Sequence, residues 1–122
     1  MQNSELYRQS VVLPLDPDAE QCLRTNEVGP STHVRVVEIP DDRVFTELWR
    51  IRLFDEINVR CAVAIDEHEE EWVAVSAITA VLAVIDSVAD TAREPATAEF
   101  LCELKALAVE ARAMSRPLLF VL

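Results

Sequence analysis

The densest chemistry in the chain is the run Asp66-Glu67-His68-Glu69-Glu70-Glu71, with five carboxylates and one imidazole in six consecutive positions. Clustered carboxylates imitate the phosphates of nucleic acid and steer a basic protein electrostatically. At the head of a helix the same acids are simply favoured by the helix dipole. Asp, Glu and His also ligate divalent ions, but this spacing fits no familiar metal site. His68-Glu69 would open a zinc-protease motif, yet the second histidine position holds Trp72. A di-iron bundle needs Glu three residues before His, and that place holds Ile65. No metal and no cofactor is expected.

Two further constellations could do chemistry. Cys61 lies near Asp66 and His68 in sequence, and His33 could also serve it as a base, so a cysteine nucleophile is conceivable. Against that, Cys61 falls among apolar residues, where cysteine behaves as an inert small hydrophobe. Asp86 and Asp90 are spaced i, i+4, which allows acid–base work. Two like charges near a helix end are locally unfavourable. Either Arg93 or Arg112 compensates them, or a partner outside the monomer does. Arg50, Arg52 and Arg60 could line one sheet face and bind an anion, but internal ion pairs are their expected use. The candidate partner-binding set is therefore Asp66, Glu67, Glu69, Glu70, Glu71 and the aromatic Trp72, with Asp86 and Asp90 as a second place.

Charge sharpens this choice. The 122 residues carry 22 acids and 11 bases, a net charge of −11. Residues 61–92 hold seven of the acids and no Lys or Arg. The ten arginines and one lysine are scattered, whereas phosphate binding needs them clustered, so direct nucleic-acid binding is not expected. Gly29 is the only glycine. That excludes the dinucleotide fingerprint, the phosphate-binding Walker loop and the nucleophile elbow, each of which needs several. Cys22, Cys61 and Cys102 are 39 and 41 residues apart, odd in number and unpaired in spacing. They point to a reducing, cytoplasmic setting rather than a disulfide framework. No signal-peptide pattern opens the chain. The apolar run from Trp72 to Ile85 is too short to span a bilayer and suits a buried helix.

The elements that must hold these residues follow from periodicity and punctuation. Leu6 to Leu13 reads as a strand. Asp16-Pro17 is a cap followed by a first-turn proline, opening a helix to about Arg24. Val28-Gly29-Pro30-Ser31 is a loop. His33 to Ile39 is a β-branched strand ending at Pro40. Residues 43–54 carry two patterns. Val44, Leu48 and Ile51 recur at helical spacing behind Asp41 or Asp42, while Trp49, Ile51 and Leu53 alternate with arginines, which favours a strand at the later end. Ile57 to Ile65, apolar at every odd position, reads as the clearest strand. A helix then runs to about Ala92 on the stripe Ile78, Val81, Leu82, Ile85 and Val88. Either Asp66 caps it, or Ser76 does with Glu71 to Val75 as a strand. Being apolar nearly all round, it is expected between the sheet and the helix 95–114, or in a homodimer interface. Pro95 opens that next helix and Leu118 to Leu122 is a closing strand.

The expected fold is one α+β domain over residues 1–122, an antiparallel-rich sheet mostly from the first half against a C-terminal helical hairpin. The expected function is that of a small acidic cytoplasmic interaction protein. It would neutralise or escort a basic protein, as an immunity protein neutralises a toxin domain. Two alternatives stand beside it. One is a secretion-type chaperone or complex subunit that binds an extended segment through an apolar groove or free strand edge. The other is a small enzyme or ligand-binding domain built on Cys61, His33 or His68.

Overall fold

The computed structural model describes all 122 residues. The elements are α1 (Asn3–Leu6), β1 (Ser10–Pro14), α2 (Pro17–Arg24), β2 (Val34–Glu38), α3 (Asp42–Arg50), α4 (Leu53–Cys61), β3 (Glu70–Val73), α5 (Ile78–Val88), α6 (Pro95–Met114) and β4 (Leu118–Val121). The fold is α+β, with one four-stranded sheet in the order β2-β1-β4-β3 and every neighbouring pair antiparallel. β1 and β2 come from the first half, and β3 and β4 from the second. No helix is long and apolar enough to cross a membrane.

Alternation along the strands gives the sheet two covered faces. Val11, Leu13, Leu118 and Phe120 point towards α3, α4, α5 and α6 and form the larger core with Phe54, Leu48, Ile57, Ile85, Phe100 and Leu104. Val12, Leu119 and Val121 point the other way, onto Leu23 of α2 and Val28, with Trp72 and Tyr7 at the margin. β1 and β4 are buried at every position because they are central in the sheet and covered on both sides. Each fully buried Leu, Ile or Phe contributes roughly 1.5–3 kcal/mol of burial free energy, so the helical side dominates stability.

Prolines and aspartates set the helix starts. Asp16 accepts the Ala19 amide at 2.7 Å ahead of Pro17, and Asp41 accepts the Val44 amide at 2.9 Å. Pro95 starts α6, whose buried stripe is Phe100, Leu104, Leu107 and Ala111. Met114, the last residue of the helix, stays exposed.

Several sequence expectations change. Residues 57–65 are not a strand: Leu53, Phe54 and Ile57 make the buried face of α4, and Val59 is 74% exposed. The alternation was accidental, because the odd residues beyond Cys61 belong to a loop, not to the same element. Residues 42–50 are helix α3, where the Asp41 cap and the Val44–Leu48 spacing prevail. The first strand begins at Ser10, after the turn of α1. The acidic run does not head a helix. Residues 66–69 form a loop and Glu70 and Glu71 open β3, in keeping with the strand expected over Glu71 to Val75, while α5 begins at Ile78 after a 3₁₀ turn, Val75–Ala77, that Ser76 does not cap with its side chain. α5 ends at Val88, with Asp90 in a second 3₁₀ turn. It packs chiefly between α4 and α6 rather than between the sheet and α6.

Candidate functional site

The acidic loop is shaped by what precedes and follows it. α4 stops where Ala62 turns left-handed, with φ 54°. Asn58 then folds the chain back, donating to the Ile65 carbonyl at 3.0 Å and accepting the Ile65 amide at 2.7 Å. Ile65 is buried and anchors the return. Beyond it Asp66 accepts the Glu67 amide at 2.8 Å, His68 takes φ 63°, and the Leu122 amide donates to the Glu69 carbonyl at 3.1 Å. The loop is thus held at both ends while Asp66, Glu67, His68 and Glu69 face solvent.

The six predicted residues 66, 67, 69, 70, 71 and 72 divide by role. No Arg or Lys lies within 4 Å of any of the five carboxylates, and the His68 ring is 3.9 Å from Glu67. Glu70 accepts from the Asn3 side-chain amide at 2.7 Å. Asn3 is 1% exposed; its amide also donates to the Leu23 carbonyl, and its backbone N–H to Asn26, so it stitches α1 and the end of α2 to β3. Glu71 is half-buried opposite Phe120, on the helical side of the sheet. Trp72 lies on the other side beneath the Arg24 guanidinium, 4.2 Å from the ring centroid, a contact worth about 0.5–1 kcal/mol at an exposed position.

The second predicted place is separate. Asp86 projects from α5 two turns beyond Ile78 and pairs with Lys105 of α6 at 2.7 Å, not with Arg93 or Arg112. Asp90 makes no ion pair. The arginines proposed for a sheet face lie on or beside helices and pair internally: Arg50 with Glu47 at 3.0 Å, and Arg52 and Arg60 with Glu56 at 3.6 and 3.9 Å. Cys61 sits at the end of α4 with its sulfur 3.7 Å from the Ala77 carbonyl, and burial pushes its thiol pKa up. That disfavours the thiolate a nucleophile needs. His33 instead meets Asp16 at 3.0 Å, and neither histidine is hydrogen-bonded to Cys61. Nowhere do three His, Cys, Asp or Glu residues converge to hold a metal ion.

One carboxylate escaped the sequence reading. Glu47, 7% exposed, accepts the Arg93 and Glu94 amides at 3.1 and 3.0 Å and pairs with Arg50. Burial alone would raise its pKa. The Glu94 amide, Arg50 and the Arg93 amide together outweigh that and hold it at about 2. It caps the start of α6 from α3, a long-range role with no local sequence signal. A second omission had one: Glu99, Glu103 and Glu110 recur at spacings of four and seven and so share one flank of α6.

The molecule is therefore a small α+β protein with a pinned acidic loop, without an Arg or Lys ion pair, at one edge of its sheet. No family model matches the chain, and neither a curated protein nor a solved structure is significantly similar to it.

Proposed function

We propose that the chain is an interaction protein whose acidic loop meets a basic protein partner, neutralising or escorting it in the manner of an immunity protein with its toxin. The observation that carries this reading is the exposed trio Asp66, Glu67 and Glu69, held on an anchored loop with no Arg or Lys within ion-pair distance of any of them, although Arg8 lines the same cavity as Glu69. Carboxylates left unpaired in a chain with ten arginines keep their field for an outside cation. Glu70, Glu71 and Trp72 supply the adjoining rigid floor of β3. A nuclease-like partner would present a phosphate-binding cleft that three such carboxylates complement.

The test is affinity against salt. The wild type and an Asp66→Asn, Glu67→Gln, Glu69→Gln variant are used to capture basic proteins from the native lysate, and the captured protein is then titrated with each. The expected result is association that falls with ionic strength and weakens about tenfold or more when the three charges are removed. Equal affinity and equal salt dependence for both forms would overturn the reading.

A further inference from the structure

The outer edge of β2 has no partner strand. Leu15 donates to the His33 carbonyl and Ile39 to the Gln9 carbonyl, which fixes the odd residues of β2 as those bonded to β1. In an antiparallel ladder the alternate residues then point their backbone groups away. The amides and carbonyls of Val34, Val36 and Glu38 are therefore directed outward, a row of three donors and three acceptors along a five-residue strand.

Beside this row runs a groove. A cavity of about 600 Å³ lies between β2 and α6, bordered by Arg35, Glu38, Pro40, Glu103, Ala106 and Glu110. A smaller one of about 200 Å³ shares Glu38, Pro40 and Glu103 with it and reaches Glu99 and Phe100. From residue 99 to 110 α6 rises about 16 Å, and five strand residues span about the same length. Four carboxylates flank the groove against one arginine, Arg35, which Glu110 already engages. On the opposite side of β2, Val34 and Val36 are only half-buried and offer an apolar margin.

We propose that this edge takes an extended basic segment of a partner protein as a fifth strand. Its backbone would bond to Val34, Val36 and Glu38. Its alternate side chains would fall over α6, where Lys or Arg meets the unpaired Glu99 and Glu103, and the intervening small apolar residues would cover Val34 and Val36. A second copy of the chain is the wrong guest. Edge-to-edge pairing of two copies would set two such carboxylate rows together, on molecules of net charge −11 each. The inference shares with the proposed function only the sign of the partner's charge. It uses the opposite edge of the sheet from the acidic loop.

The probe is a blocked seven-residue peptide alternating lysine and valine, titrated into the isotopically labelled intact chain. Its controls are the glutamate–valine counterpart and a lysine–valine peptide N-methylated at its central valine. The lysine–valine peptide is expected to shift the Val34, Val36 and Glu38 amides and protect them from hydrogen exchange, and the glutamate–valine peptide to leave them unchanged. Val36→Pro removes one outward donor at an edge position, where proline is tolerated. It should weaken binding about tenfold, as the loss of one interstrand hydrogen bond implies. Glu103→Gln should weaken it about threefold at low salt. If Val36→Pro does not fold, the N-methylated peptide makes the same deletion from the guest's side. Absence of binding, shifts confined to residues 66–71, or equal affinity for all three peptides would overturn the inference. The Asp66→Asn, Glu67→Gln, Glu69→Gln variant separates the two surfaces: a loss of partner affinity in that variant with peptide binding intact leaves both standing, and each can fail alone.

Discussion

Glu47 and the loop carboxylates 66, 67 and 69 are acids of one chain put to opposite uses. Glu47 is buried, accepts two backbone amides and faces Arg50. The loop acids are exposed, and the one ring nitrogen within 4 Å of them is that of His68, 3.9 Å from Glu67. A carboxylate whose acceptor positions are filled by its own protein is committed to the fold. One whose positions are left to water remains free for a partner. The difference shows that net charge alone does not locate a site: Glu47 of α3 and Glu56 of α4 are engaged by Arg50, Arg52 and Arg60, and the acids of 66–69 are engaged by no arginine.

The contrast breaks most visibly at Glu47. Glu47→Ala leaves two buried amides and Arg50 without their acceptor, and denaturant unfolding should show a loss of about 2–4 kcal/mol. Glu47→Gln keeps an acceptor and should cost about half as much. It also changes the response to acid. The Glu47 pKa is about 2 in the fold against an ordinary 4.5, so its charge stabilises the protein above pH 4.5 and that contribution is lost as pH falls from 4.5 towards 2. In the Gln variant the stability curve should be flatter over that window; an identical curve would show that the carboxylate is not what the amides hold. A smaller effect is expected from Ala62→Gly, which relieves a left-handed residue at the end of α4 and should raise stability by about 1 kcal/mol or less. Smallest is the loop itself. Asp66→Asn, Glu67→Gln and Glu69→Gln together should change stability by under about 0.5 kcal/mol in thermal melts at moderate salt. A larger loss would mean that these acids belong to the fold after all.

The parts of the fold that were legible are those marked by proline and by long regular stripes. Pro17, Pro40, Pro95 and Pro117 bracket α2, β2, α6 and β4. The middle was misread because its turns carry no glycine. Arg52, Ala62 and His68 take the left-handed conformation themselves, at φ 68°, 54° and 63°, while Gly29 does not adopt positive φ. With that punctuation missing, α3 and α4 run together in sequence, and Ile57 to Ile65 imitates one strand although Ala62 ends a helix within it. The acidic segment was legible as a charged run but not as a loop. Its anchors, Asn58, Asn3 and the Leu122 amide, come from distant or unremarkable positions. The outward edge of β2 could not be seen at all before strand order was known, because an edge is a property of the sheet and not of any residue in it.

The two tryptophans fall on opposite sides of the sheet. Trp49 packs in the helical layer, 4.9 Å from Phe54, and Trp72 lies under Arg24 in the thin layer of α2. The molecule thus carries one intrinsic fluorophore per layer. With Trp49→Phe only the thin layer emits, and with Trp72→Phe only the thick one does. Emission recorded during unfolding therefore distinguishes a protein that melts as one body from one that sheds α2 first and exposes the far face of its sheet.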